Sequence, residues 1–192
     1  MSAKRLILAA APLAIAVSLI LAPDYPDLKD VTGYGLRVTA RIAFCFFILA
    51  YIARPLMQLT GSGRWLVANR RYLGLSAAFT HTVHFFYVVA NLRVTGEALD
   101  PIVLVFGGLA FVFFWLMAAT SNKPSIRRLG PWWKRLHTTG MHYIWIIFAQ
   151  SYIPRALEEP AYWLLAGPAV AAALLRLTAF LHKRRRVAPT PA

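Results

Sequence analysis

Four of the five histidines of this chain lie in or at the edge of long apolar runs. His81 and His84 sit near the middle of residues 72–91, YLGLSAAFTHTVHFFYVVAN. His137 and His142 belong to a second run, residues 137–153, and the fifth, His182, stands in a basic tail. A neutral imidazole within a bilayer still needs a partner that lipid cannot supply, so such residues face a bundle interior, a cavity or a cofactor. Thr80, His81, His84, Tyr87 and Asn91 recur at helical spacing and make one polar stripe. Two explanations fit that stripe: a structural polar network between helices, or ligation of a metal or heme. His137 near the interface could equally be a side chain with a wet tip, whereas His142 lies a turn and a half deeper. Histidine pairs on two parallel helices favour a heme held between them.

The acidic residues narrow the chemistry. No Asp or Glu lies inside any apolar run, and Cys45 is the only cysteine. Ion carriers generally need carboxylates or thiolates to bind and release their cargo. A pair of imidazoles without an acid suits axial ligation of heme iron. One cysteine permits neither an intrachain disulfide, nor a four-cysteine cluster, nor a C-x-x-C-H attachment, so the heme would be a non-covalent heme b. Its propionates would need cationic partners. Arg37 and Arg41 stand at the start of one apolar run, and Arg70, Arg71 and Arg135 near the opposite side. Arg41 is the most distinctive, because it lies a turn inside its run; simple snorkelling at helix ends is the competing explanation. By helix rise, His81 lies about 15 Å from Arg71 and His142 about 12 Å from Lys134, so these two could face each other. His84 would sit about 4–5 Å deeper than His81.

The elements that must position these residues are membrane helices. The chain has 192 residues, 59% of them hydrophobic, which places it among integral membrane proteins. Six spans are predicted, over about residues 6–21, 36–56, 72–91, 102–120, 138–153 and 161–181, giving an all-α six-helix bundle. Trp132 and Trp133 suggest that the fifth begins a turn earlier, in the interface. The N-terminal run is long for a signal peptide, and Pro23 follows Ala22 directly with no A-x-A pattern before it, so an uncleaved first span is expected. Pro23, Pro26, Pro101, Pro131, Pro154 and Pro160 punctuate the connections.

Charge gives the orientation. Lys4 and Arg5, then Arg54, Arg64, Arg70 and Arg71, then Lys123, Arg127, Arg128, Lys134 and Arg135, then Lys183, Arg184, Arg185 and Arg186 fall in alternate segments. The other segments hold all seven acidic residues: Asp24, Asp27, Asp30, Glu97, Asp100, Glu158 and Glu159. Positive charge collects on the cytoplasmic side, so both termini are expected there. The formal charge of +14 thus reflects topology and attraction for anionic membrane lipid rather than nucleic-acid binding. Residues 1–182 form the membrane domain in this reading, and 183–192 a basic, disordered cytoplasmic tail.

Against that frame the chain resembles the ferric reductase-like transmembrane family, and most of all its heme-binding membrane subunits. Arg70-Arg71-Tyr72-Leu73-Gly74-Leu75 followed by His84 is similar to the start of that family's third span. Ala40-Arg41-Ile42-Ala43 through Pro55-Leu56 resembles its second span, and Thr120-Ser121 the end of its fourth. Leu129-Gly130, Trp133, Leu136 and His137 resemble the loop entering its fifth. The resemblance implies a b-type cytochrome of the bacterial inner membrane, an electron-transfer subunit rather than a complete enzyme. Axial ligands would come from the third and fifth spans, where His84 and His137 match. A second family histidine falls on Gln150, a departure for which His142 could substitute; His81 remains a further candidate. No G-x-G-x-x-G follows a strand and no soluble segment is long enough for a nucleotide domain, so a cytoplasmic flavin reductase or the quinone pool would supply electrons to a periplasmic acceptor protein. A bound flavin is compatible with this reading, but no residue pattern specifies one. A divergent six-span scaffold or small carrier without heme is the alternative, motivated by Gln150.

Overall fold

The computed structural model describes residues 2–187, and every described regular element is helical. The order is α1 (Ala3–Ile20), α2 (Leu28–Thr60), α3 (Arg64–Thr95), α4 (Pro101–Ala119), α5 (Lys123–Leu129), α6 (Pro131–Glu158), a 3-10 turn (Pro160–Tyr162) and α7 (Trp163–Val187). Five helical segments are long and apolar enough to cross a membrane: α1, α2, α3, α4 and Pro160–Arg185, which contains α7. At 28 residues α6 is long enough, about 42 Å. Its histidines, threonines, glutamine and terminal arginines make it more polar.

Local chemistry sets the boundaries. Gly61 and Gly63 between α2 and α3 have φ of 70° and 88°, a left-handed backbone that glycine adopts without a Cβ clash. Asp100 caps α4, its carboxylate accepting from Ile102 N at 2.7 Å, with Pro101 at the first helical position. Asn122 caps α5 in the same way through Ser125 N, 2.8 Å. α6 starts at Pro131, ahead of both tryptophans, as Trp132 and Trp133 suggested. Pro154, expected to end a span, lies inside α6 instead. Proline deletes one backbone donor without forbidding a helix, and buried Tyr152 and Ala156 on either side hold the chain in place. The basic cluster expected to open a disordered tail continues α7 as far as Val187; the rest of that tail, 188–192, lies outside the described residues.

α2 is the central helix, packed along α3 and against α7, while α4 and α6 close the other side. Phe44, Phe47, Phe114, Ile144, Phe148 and Tyr152 fill the centre between these helices. Close crossings use glycine: Gly35 on α2 lies under the Tyr87 ring of α3, and Gly140 on α6 under Met117 and Phe113 of α4. α1 is tied into the bundle by Ser76 Oγ donating to Ile7 O (3.1 Å) and Tyr34 OH donating to Ser18 O (2.9 Å). Ile102, Leu104 and Val105 are more than half exposed on the outer face of α4, as suits a helix whose solvent is hydrocarbon. α3 and α6, the two helices that carry the four apolar-run histidines, make no close backbone approach to each other. A cavity lies between them.

Candidate functional site

The polar stripe of α3 faces α2. The Thr32 hydroxyl donates to Asn91 Oδ1 at 3.0 Å, Tyr87 covers Gly35, and His84 Nδ1 lies 3.0 Å from Leu36 O. A carbonyl can only accept, so His84 carries its proton on Nδ1. Thr39, also 3.3 Å from Nδ1, is oriented by its own bond to Gly35 O (2.7 Å). His84 Nε2 therefore keeps a free lone pair while the other nitrogen is fixed by a backbone carbonyl. Metal-ligating histidines are commonly oriented in this way.

His81 stacks on His84, with ring centroids 5.4 Å apart, and packs against Phe114 at 4.7 Å. Its Nδ1 is buried without a hydrogen-bond partner, an uncommon and costly state for a native polar atom. The expected polar network thus accounts for His84 Nδ1 and Asn91 but not for His81.

His137 sits at the entry of α6 under the Trp133 ring, 4.1 Å between centroids. Its Nε2 is 3.0 Å from Thr120 Oγ1, whose single proton goes to Leu116 O at 2.6 Å. His137 is accordingly the donor there, and its Nδ1 keeps the lone pair. Trp133 Nε1 donates to the Thr120 carbonyl at 2.9 Å, so Thr120, Trp133 and His137 form one clasp joining the end of α4 to the start of α6. His142 turns toward α2 instead, its Nδ1 3.1 Å from Tyr51 OH.

Two cavities flank Tyr51. The first, about 350 Å³, lies between α3 and α6 on a floor that includes Phe47, Ala50, Phe114 and Met117. His137 lines it together with Arg70, Arg71, Lys123 and Lys134, and no acidic side chain does. Gly74 forms part of its α3 wall, with nothing within 4 Å of where a Cβ would stand. The second, about 510 Å³, lies between α2, α6 and α7 and takes in His142. Arg176 of α7 separates the two, donating from Nη1 to Tyr51 O (3.1 Å) with its guanidinium 4.1 Å above the Tyr51 ring.

The residues singled out in the sequence therefore divide into groups. His137 and His142 face different cavities, and His81 and His84 form a stacked pair that lines neither. His81 and His142, matched for depth by helix rise, have different neighbours: Phe114 for one, Tyr51 for the other. Arg41 lies apart with Arg155, each guanidinium 5.8 Å from the Tyr162 ring. Gln150 is exposed. Among the described residues no three His, Cys, Asp or Glu side chains converge to hold a bare metal ion. Sequence reasoning missed Tyr51 and Arg176, and it noted Thr120 only as the end of a span and not as the partner of His137. Only Arg176 carried a signal, a lone cation inside the last apolar run.

Comparison with curated proteins places this arrangement. Over 170 aligned positions the chain is 32% identical to the protein-methionine-sulfoxide reductase heme-binding subunit MsrQ of Xanthomonas oryzae pv. oryzae, strain MAFF 311018, covering 78% of this chain and 73% of the relative. The chain belongs to the MsrQ family. No family model matches it, and no solved structure does. In this MsrQ-family chain two of the stretches that resembled ferric reductase-like proteins meet in space, since Thr120 of one and Trp133 and His137 of the other are the members of one clasp. The MsrQ relationship supports a membrane protein concerned with heme and electron transport.

Proposed function

We propose that this protein is a heme b-binding subunit of the bacterial inner membrane that carries electrons from a cytoplasmic donor or quinol to a periplasmic acceptor. The observation carrying the reading is the His84 arrangement: a proton held on Nδ1 by Leu36 O, and a free Nε2. The MsrQ relative, described as a heme-binding subunit, supports it. The donor set fits non-covalent heme b: neutral imidazoles on α3 and α6, the unpartnered His81 Nδ1, an open Gly74 wall, and a cationic rim for propionates. His84 is the α3 ligand in this reading, with His137 or His142 opposite and His81 as the alternative on α3. Arg70 and Arg71 would hold carboxylates at the cavity; Arg41 would serve at the other end of the bundle. When bound, heme b supplies a one-electron iron couple, and a flavin is compatible with the same rim.

In this proposal α1, α2, α3, α4, α6 and α7 are six spans with both termini in the cytoplasm. The segregation of basic and acidic segments supports that orientation. Residues 1–182 form one ferric reductase-like membrane domain. Its basic face draws a phosphate-bearing or acidic donor, such as a flavin reductase, at a rate that falls as salt screens the field. Spectra of the purified protein, oxidised and dithionite-reduced, test the cofactor. A Soret band and a reduced α-band are expected after expression with ample heme, and their absence refutes the reading.

A second reading, a six-span scaffold or small carrier without heme, is favoured by the exposed Gln150 and by the α3 histidines lying outside both cavities. A folded, stable and colourless protein would favour it.

A further inference from the structure

The cavity between α2, α6 and α7 carries a cluster of cations that the function proposed above does not use; of its lining only His142 enters that reading, as a candidate ligand. Arg54, Arg176 and Lys183 line it, and no acidic residue does. Among the described residues the one ion pair is Lys29–Glu97, in the segments that carry the acidic residues. These three cations therefore have no protein counter-ion among the described residues. Arg176 is the most constrained. Its guanidinium has five N–H donors, and one hydrogen bond is formed, to Tyr51 O. Arg176 is half-buried and Arg54 and Lys183 are exposed; clustered cations with free donors suit an anion whose oxygens can accept several bonds at once, which is the geometry of a phosphate.

The remaining walls say what the phosphate is attached to. Trp145 stands there with its indole N–H already given to Ala169 O (3.0 Å), so toward the cavity it offers an apolar face. Leu177 and Phe180 of α7 line the same space and are each more than half exposed on the outer surface. An apolar path thus leads from the cationic centre along the outside of α7. A free phosphate has no use for it, whereas a lipid acyl chain does. Basic pockets between membrane helices on the cytoplasmic side are the places where anionic headgroups are held.

We propose that this cavity is a binding site for an anionic phospholipid, with Arg54, Arg176 and Lys183 on the headgroup phosphate and Leu177 and Phe180 along an acyl chain. The proposal needs the protein in a membrane but not the presence of heme. The test is native mass spectrometry of the full-length protein in detergent, with added phosphatidylglycerol or phosphatidylcholine and with millimolar inorganic phosphate as competitor. Wild type should retain phosphatidylglycerol about tenfold better than phosphatidylcholine, and phosphate should not displace it. Arg176→Gln with Lys183→Gln should lower that retention about tenfold, as expected from losing charge-assisted bonds. Should Arg176→Gln fail to fold, Arg54→Gln with Lys183→Gln makes the same test without touching the bond to Tyr51. Arg127→Gln with Arg128→Gln removes as much charge from exposed positions on α5 and should change nothing. Equal retention of the two lipids overturns the proposal, as does unchanged retention in the cavity variants or an equal fall in the α5 variant. Displacement by inorganic phosphate overturns the lipid assignment. Lipid adducts are counted by mass whatever the heme content, so a colourless protein refutes the proposed function and leaves this test intact.

Discussion

Gly35→Ala joins the packing of α2 and α3 to the histidine arrangement in one experiment. A Cβ at position 35 would meet Tyr87 Cδ1 at 2.5 Å and Cζ at 2.6 Å. Ordinary carbon contacts begin near 3.5 Å, so the ring or the helix must give by about 1 Å. Contacts this far inside van der Waals range put the overpacking cost in its upper part, about 2–3 kcal/mol, and replacing a helical glycine by alanine returns about 1 kcal/mol. The net expectation is a destabilisation of about 1–2 kcal/mol, lowering the thermal midpoint in detergent by roughly 2–8 °C. The same displacement acts one residue from Leu36, whose carbonyl holds His84 at 3.0 Å. Lengthening that bond by about 1 Å takes it beyond hydrogen-bonding range, so bound heme should fall as well. The assay combines melting followed by circular dichroism with heme content per protein. Tyr87→Ala supplies the internal control: in its background Gly35→Ala should be neutral or stabilising, a coupling of about 1–3 kcal/mol. If Gly35→Ala melts with wild type, or loses as much stability in the Tyr87→Ala background, then the close approach of ring and glycine is not what joins these helices.

Further expectations follow from the same contacts. His84→Ala should lose most of the bound heme while His182→Ala, in the tail segment, keeps it; equal heme content in the two removes His84 from the ligand set. Comparing His137→Ala with His142→Ala by reduced spectra should show a large loss in only one, which identifies the α6 ligand. Tyr51→Phe deletes the hydroxyl beside His142 Nδ1 and should cost about 0.5–1.5 kcal/mol in thermal or denaturant unfolding. In inverted vesicles, heme should be reduced by a membrane-impermeant donor from the cytoplasmic face, more slowly as salt rises; reduction only from the opposite face reverses the proposed direction.

Much of the fold was legible because apolar length is a strong signal. Each of the six expected spans falls on one helix, α1, α2, α3, α4, α6 and α7, although among the described residues five meet the length and apolarity needed to cross a membrane. Boundaries were less legible. α2 begins at Leu28 and α3 at Arg64, eight residues before their expected spans, because polar turns remain helical beyond the apolar core once neighbours and glycine caps support them. Pro154 misled for the opposite reason, a local breaker overridden by packing. The histidines were visible as types, and their spacing put His84 with Tyr87 and Asn91 on the face that meets α2, whereas His81 packs against Phe114 with its Nδ1 unpartnered. Their partners were not visible. Leu36 acts through its backbone carbonyl, which no sequence pattern marks, and Thr120 is joined to His137 only by the turn that brings α4 back to α6. Depth counted from helix rise ignores rotation about the helix axis, and rotation sends His81 to Phe114 and His142 to Tyr51.

Tyr51 has a consequence for how distant parts of the molecule sense one another. Its ring, hydroxyl and carbonyl are each engaged, by Arg176, His142 and Arg176 again, and it walls both cavities. An occupant of one cavity that draws Arg176 toward itself also moves the partition that shapes the other. Such an effect is reciprocal: if filling the α2–α7 side changes affinity on the α3–α6 side by some factor, filling the α3–α6 side changes the first by the same factor. Titrating either site with the other empty and then filled would give that factor twice, and the two values must agree.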